Sequence, residues 1–371
     1  MNNPTKESRG EWNPALAGAI NDLIADYGAA NPSWDSAHKP VAVFDFDNTT
    51  IFGDIGERIF RRQVDKLIFR YTPEQFAAHM PDAPRGVEFF DHVYPDCPIS
   101  HISADVSEEY EKLYAMYEGL RGDQPLHQVE KTDEYQEFRV KICALYEGLN
   151  ATMSIGRDLA YLWSVQMVAG LNPEQVRKLA LDTWAYELRQ PLGTETLRSS
   201  DKLKTRSGAL SVTMKTGIRP FFAMQQLFAR LRGAGFEVFI VTATQDFVIE
   251  AIVVDSANGY GVEPGHVAGV PLEIVDGLYT KNLDPRYHHG VTYGPGKVLA
   301  IKERIGRAPL FVGGDSDNDI EMLTDFPETR LRMVVDRGMD EIMKDIYGKC
   351  ARGEDGFYLQ KRDEKSGQFV A

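Results

Sequence analysis

Three cysteines in 371 residues, widely spaced and with no C-x-x-C pair, leave the chain without the makings of a disulfide framework or a zinc site. Cys97, Cys143 and Cys350 read as free, inert thiols. Long apolar runs are missing as well. Nothing approaches the roughly 20 residues of a membrane span, and the polar start MNNPTKESRGEW lacks the apolar core of a secretory signal. The expected compartment is the cytoplasm, with the periplasm as the alternative for a chain whose leader has been removed. Positive charge is also scarce. The formal net charge is -14, with no basic stripe or cluster, which argues against nucleic acid and against a membrane surface as partners. A phosphorylated ligand would need positive charge placed locally. Nothing in the composition sets an oligomeric state. What remains is ordinary globular material, 43% hydrophobic and 26% charged, enough for one large domain with an insertion or for two domains.

The stretch around which the chain is organised is Val41 to Thr50, VAVFDFDNTT. A short apolar run rich in Val and Phe breaks into Asp45 and Asp47, as expected of a buried strand delivering its carboxyl end to a loop. Function in open α/β sheets sits at such ends. Residues two apart in an extended segment share a side, so both carboxylates face one site if the segment stays extended. A strand followed by D-N is also an ordinary turn signal.

Before this strand, Leu16, Ile20, Leu23 and Ile24 mark an amphipathic helix over Pro14 to Tyr27. After it, helices are predicted over Ile55 to Phe69, Ser107 to Leu120, Thr132 to Leu149, Ile155 to Val168 and Pro173 to Arg189, the last capped by Asn172. Tyr71 to Ser103 reads as an irregular connection, and no strand is expected anywhere in this region. Alternation of helix and strand resumes with a helix over Ile218 to Arg232 and a strand over Phe236 to Val241 that ends in Thr242, Ala243 and Thr244. Then come a helix over Gln245 to Asn258, a strand pair over Val267 to Tyr279 turning near Asp276-Gly277, and a helix from Gly296-Lys297 to Ile305. Strands follow over Leu310 to Val312 and Leu331 to Val335, and the last twenty or so residues offer only a short FYL element. This rhythm predicts an α/β fold, a doubly wound parallel sheet interrupted after its first strand by a helical insertion.

In a parallel sheet the strand ends share one edge. Asp45, Asp47, Thr242, Lys297 and the acidic cluster Asp315 to Asp319 all fall at strand ends or helix starts. Together they amount to a nucleophilic carboxylate, a second carboxyl, a hydroxyl, an ammonium and an acidic loop suited to a hard cation. Phosphoryl transfer requires that set: an attacking group, a proton donor for the leaving oxygen, and positive charge over the equatorial oxygens.

DFDNTT, the strand closing on Thr242, Lys297 and GGDSDND resemble, in order and spacing, the four motifs of the haloacid dehalogenase superfamily. The resemblance covers the regions flanking the insertion. It implies a Rossmann-like core at residues 1-53 and 216-371 with a helical cap at 54-215. It implies that Asp45 forms an aspartyl-phosphate, Asp47 is the general acid and base, Thr242 and Ala243 bind the phosphoryl group, and Lys297 neutralises nucleophile and phosphate. Mg²⁺ would lie on Asp45, the backbone carbonyl of Asp47 and Asp315, with Asp319 supporting that sphere. Asp317 is the loop acid expected to be merely solvated.

A carboxyl at position 47 speaks for phosphate-monoester hydrolysis, because an alkoxide leaving group must be protonated. IRPFFAMQQLFARLRGAGFEVFIVTAT and GDSDNDIEML resemble the phosphoserine phosphatase branch, while VIEAIVVDSANGYGVEPGHVAGV and RMVVDRGMDEIM resemble the phosphorylcholine phosphatases. The chain departs from the latter at Gly56-Glu57, where an acidic pair is expected. The implied substrate is a small phosphorylated metabolite, with phosphocholine as one option, phosphoserine as another, and a non-catalytic binding protein as the reading from a different class. Tyr114, Tyr117, Tyr135, Tyr146, Tyr161, Trp163, Trp184 and Tyr186 make the insertion aromatic-rich. With Glu57 nearby they form a candidate substrate-binding cage for a quaternary ammonium, although aromatics at helical spacing ordinarily fill a core. His288-His289 lies in a loop and reads as a surface or substrate-contacting pair. Hinges are expected near Phe52-Gly53-Asp54 and Ser211 to Gly217, with the cap closing over the site.

Overall fold

The run Val41–Phe44 is buried on both faces. Ala42 and Phe44 enter one apolar cluster and Val41 and Val43 another, the period-two division a central strand imposes. In the computed structural model, which describes residues 10–91, 93–339 and 341–371, this strand lies inside a seven-stranded sheet. The first nine residues of the polar start and Asp340 of RMVVDRGMDEIM lie outside the described residues. The strands are β1 (Val41–Phe44), β2 (Glu237–Gln245), β3 (Val267–Val270), β4 (Phe311–Gly314), β5 (Leu331–Val335), β6 (Phe357–Asp363) and β7 (Gln368–Val370).

Their order across the sheet is β3-β2-β1-β4-β5-β6-β7. All neighbours are parallel except β7, which runs antiparallel to β6. Chain order reverses at β1, so the crevice beyond the carboxyl ends of β1 and β4 is where such a sheet takes its ligand. The helices Pro14–Tyr27, Phe222–Gly233 and Asp246–Val253 cover the Phe44 face, and Pro295–Ala300, Ile320–Thr324 and Lys344–Arg352 cover the Val43 face. The fold is an α/β, Rossmann-like sheet with helices on both sides.

Local chemistry explains the well-placed elements. Pro14 sits in the first turn of its helix, and the Asn13 side chain accepts from the N–H groups of Ala15 and Leu16. Asp276 and Gly277, both at positive φ (50° and 79°), form the tight turn between strands Leu272–Val275 and Leu278–Leu283.

Three expectations need correction. The insertion is not strand-free, because Gly193–Arg198 and Ser211–Thr216 form an antiparallel hairpin. Its outward residues are Thr, Glu, Ser and Lys, so only Leu197, Val212 and Met214 signal burial. Tyr71 to Ser103 is not all irregular: it holds a capped helix at Pro73–Ala77, and the next helix runs Ile99–Met116 rather than from Ser107. The C-terminal segment supplies β6 and β7, not one short element. The buried Gln360 disguised β6 as polar. Its amide is satisfied by Asn13 N–H and the Glu11 and Val370 carbonyls, which ties the two ends of the chain together.

The chain leaves for the insertion and returns side by side, since Ile51–Phe52 pairs antiparallel with Arg219–Pro220. Gly53 and Gly217 flank the pair at φ 97° and 74°, a conformation that favours glycine. One apolar cluster draws only on residues between Phe60 and Met214. The helix Pro173–Glu187 behaves differently: its Val176, Leu179, Ala180 and Trp184 join the sheet-face cluster beside Asp246–Val253. The insertion is therefore anchored on the sheet as well as suspended over its edge.

Candidate active site

Asp45 follows β1 directly, its N–H donating to Gly313 of β4 at 2.9 Å. Its carboxylate meets the Lys297 ammonium at 2.7 Å, and Lys297 also donates to Asp319 at 2.6 Å. The other Asp319 oxygen accepts the N–H groups of Asp315 (2.9 Å) and Ser316 (3.1 Å), which fixes the turn after β4. Asp315 is held between the Thr49 hydroxyl and the Arg337 guanidinium, each 2.7 Å away.

Asp45, Asp315 and Asp319 are buried and offer carboxylate oxygens within 4.8 Å of one another. Burial drives the Asp45 and Asp319 carboxyls upward, with Lys297 opposing. Burial disfavours the Lys297 charge too, but the Asp319 and Asp45 carboxylates outweigh it and raise its pKa. Three carboxylates face two cations, leaving an anionic, all-oxygen cluster, and such a donor set fits a small hard divalent ion.

The Asp47 side chain turns away from this cluster. One oxygen accepts the Ile55 N–H at 2.6 Å and the other the Thr244 hydroxyl at 2.9 Å. Burial pushes its pKa up to about 7, against the pull of those two hydrogen bonds. Gly56 makes the arrangement possible, because a Cβ there would lie 2.5 Å from the Thr244 hydroxyl oxygen. An acid at position 56 has no room. Instead Asp54, which caps the helix Ile55–Lys66 by accepting the Glu57 N–H, supplies the carboxyl that partners Glu57.

Asp45, Asp47, Ala243, Thr244, Asp315 and Arg337 line one cavity. It continues past Asp54 and Tyr161 into a narrow apolar arm bounded by Glu57, Phe60, Gln63, Tyr146 and Val248. Thr242 is fully buried inside the strand, its oxygen accepting the Thr244 N–H, and it is Ala243 and Thr244 that reach the cavity. Lys297 is fully buried. Asp317 is not merely solvated, since it accepts from Arg157 of the insertion at 2.7 Å and from the Tyr293 hydroxyl at 2.9 Å.

Of the eight aromatics considered for a cage, Tyr146 and Tyr161 line the arm. Trp163 donates to the His79 carbonyl and packs on Phe60, and Trp184 donates to Asn258 and packs on Phe46 and Tyr260. These two tryptophans are core. His289 is buried 3.7 Å from Glu303 and His288 is exposed, so the pair does not converge on the site. Cys143 is buried and its thiol pushed up to about 12 by that burial, consistent with an inert group. Among the described residues, no helix is long and apolar enough to cross a membrane.

The sequence reading missed Thr49, Asp54, Thr244 and Arg337. Asp54 carried a signal, an acid three residues before Glu57 at a helix start. Arg337 had none, since only the adjacency of β4 and β5 brings it to Asp315.

Residues 197–324 match the family model of the haloacid dehalogenase-like hydrolases. A phosphorylcholine phosphatase from Pseudomonas aeruginosa is 27% identical over 189 residues, 44% of this chain and 51% of that protein. The match thus spans about half the length of the curated relative. A crystal structure of a conserved functionally unknown protein from Anaerococcus prevotii, 29% identical, superposes with a TM-score of 0.86 over 98% of this chain and 96% of that one.

Proposed function

Because the chain carries a haloacid dehalogenase-like hydrolase domain, we propose that it is a phosphatase acting on a small phosphomonoester through an aspartyl-phosphate on Asp45. The reading rests on one observation. Two carboxylates two residues apart face the same cavity, one locked on an ammonium and the other on a hydroxyl and an amide N–H.

An Asp45 oxygen attacks phosphorus as the ester bond breaks, and Asp47 delivers its proton to the departing alkoxide. Water then attacks the phosphoryl group, Asp47 takes the proton back, and Asp45 is regenerated as phosphate leaves. Lys297 holds the nucleophile in place and limits repulsion between Asp45 and Asp319. Thr244 aims Asp47, and Ala243 with Thr244 presents the end of β2 to the phosphoryl group. Asp45 and Asp315, with the Asp47 carbonyl and the support of Asp319, would hold Mg²⁺, which supplies charge stabilisation at the phosphoryl oxygens.

The leaving group would enter the arm lined by Asp54, Glu57, Tyr146 and Tyr161. Among the described residues no Lys or Arg lines that arm, so the carboxylate of phosphoserine would meet like charge there. An amino alcohol fits better, its cation beside two carboxyls and two aromatic rings. The phosphorylcholine phosphatase likeness agrees with this substrate class.

Steady-state hydrolysis of phosphocholine, phosphoethanolamine and phosphoserine in Mg²⁺ tests the reading. The amino-alcohol esters are expected to exceed phosphoserine in kcat/KM, and Asp45→Asn is expected to lower turnover at least about 1000-fold while the circular dichroism spectrum persists. Substantial activity in that variant would overturn the covalent route. Folded protein that binds these esters without turning any over would point instead to a binding protein.

A further inference from the structure

Glu57 and Tyr161 border two spaces at once. One is the narrow arm, and the other is a chamber of about 260 Å³ between the insertion and the sheet edge. Ser316, Asn318 and Arg337 line both this chamber and the cavity of Asp45 and Asp47, so the chamber adjoins the catalytic carboxylates. Asn318 stands where the two meet. It is nine-tenths buried, and its side-chain amide makes no hydrogen bond among the described residues. A buried polar group without a partner marks a place for a ligand atom.

The cations of the chamber are already paired, since Arg157 donates to Asp317 and Arg337 to Asp315, each at 2.7 Å. Its acids are less well served. The Glu57 carboxylate meets Arg58 at 3.3 Å. Glu147, half-buried on the helix Asp133–Ala151, has no hydrogen bond or ion pair among the described residues. Glu57 and Arg58 face it from the helix Ile55–Lys66, Lys215 from the strand Ser211–Thr216, and Tyr94 from the connection before Ile99–Met116. Neither cation is within ion-pair distance. A carboxylate held out of water without a counter-charge is unfavourable, and a cationic ligand beside it removes that penalty.

We propose that Glu147 is a specificity-determining residue, which with Glu57 holds the ammonium of the leaving group in the chamber beside Tyr161 and Tyr293. This inference rests on the phosphatase reading for the position of the phosphoryl group and deepens it by adding a carboxylate from a second helix of the insertion. A trimethylammonium head fits: four heavy atoms at roughly the 30 Å³ share of a liquid water each occupy about 120 Å³. Recognition by Glu147 also carries a pH signature. Burial, then Glu57, push its pKa up to about 7. The carboxyl is mostly neutral at pH 6 and mostly ionised at pH 8, so the preference for a cation grows over that interval.

The test compares phosphocholine with 3,3-dimethylbutyl phosphate, which has the same shape and no positive charge, so that packing and the chemistry at Asp45 and Asp47 enter both alike. The ratio of their kcat/KM values is measured in Mg²⁺ at pH 6 and pH 8, in the native protein and in Glu147→Gln, beside calorimetric binding of both esters to Asp45→Asn. The native ratio should rise about threefold or more from pH 6 to pH 8. Glu147→Gln should lower the ratio at pH 8 roughly 3- to 10-fold and remove the rise, the scale of one partly buried charge pair. Glu147→Asp should keep the rise, and the native pH series decides alone if Glu147→Gln does not fold.

A native ratio equal at the two pH values, or a ratio that Glu147→Gln leaves within twofold, would overturn the inference while leaving the phosphatase reading intact. Charge-selective binding to Asp45→Asn that strengthens from pH 6 to pH 8, with no hydrolysis by the native protein, would support it and sink the phosphatase reading instead.

Discussion

At position 56 a single methyl group would crowd the hydroxyl that holds Asp47, the proposed proton donor. A Cβ would lie 2.5 Å from the Thr244 hydroxyl oxygen, and that hydroxyl holds Asp47 at 2.9 Å. Gly56→Ala should therefore lower kcat about 10- to 100-fold, within the range that general acid catalysis contributes. Thr244→Val, which removes the hydroxyl without crowding, should act in the same direction. Steady-state kinetics beside thermal melts check both, and a kcat within twofold of the parent would show that Asp47 needs no help from Thr244. Asp45, Asp47, Lys297, Asp315 and Asp319 were legible because each sits at a strand end or helix start whose local pattern is plain. Thr244 was not, since which of Thr242 and Thr244 reaches the cavity depends on how the end of β2 turns against helix Ile55–Lys66.

Between elements, the contact with most consequence for function joins the helix Arg157–Gln166 of the insertion to the turn after β4. Arg157 donates to Asp317 at 2.7 Å, Tyr293 donates to the same carboxylate at 2.9 Å, and Tyr161 and Tyr293 lie 5.9 Å apart. The pair is partly exposed, so its loss should cost only about 1 kcal/mol of docking. Arg157→Ala should raise KM roughly 3- to 10-fold with a smaller effect on kcat, and speed amide exchange in residues 157–166. Unchanged exchange there would mean that the anchored helix Pro173–Glu187 alone holds the insertion down. A second element carries a pH signature. On the helix Asp133–Ala151, burial and then the nearby Glu57 push Glu147 up to about 7, against Lys215 and Arg58. A folded-state pKa above the unfolded value near 4.5 means that stability is fully present below pH 4.5 and falls as pH rises through 7. Glu147→Gln should accordingly raise Tm more at pH 8 than at pH 5, by an amount on the order of 1 kcal/mol at the higher pH. Equal gains at both would show that the carboxyl is already ionised in the folded protein. Neither contact was legible, because each pairs residues from segments whose separation in sequence says nothing about their adjacency.

For the molecule as a whole, a net charge of -14 surrounds a buried triad of carboxylates that Lys297 and Arg337 contact directly. A divalent cation that binds only the folded state should stabilise it, by about 2.7 kcal/mol at a concentration 100 times its Kd. Mg²⁺ should raise Tm, chelator should reverse the rise, and Asp315→Asn should abolish most of it. A melt indifferent to Mg²⁺ would count against the cation site whatever the activity. The sequence by itself determined the α/β character, the strand that carries Asp45 and Asp47, and the acidic turn after β4, because apolar period and abrupt polar ends are local properties of a chain. Tertiary structure decided the rest. Helical spacing marks an aromatic as buried without saying where, so only packing separated Tyr146 and Tyr161 at the cavity from Trp163 and Trp184 in the core. Strands as polar as Gly193–Arg198 and Phe357–Asp363 find their identity in a partner rather than in their own residues. Asp54 became Glu57's partner at the cavity because one helix starts there from the edge of the sheet, an alignment set by what that helix packs against.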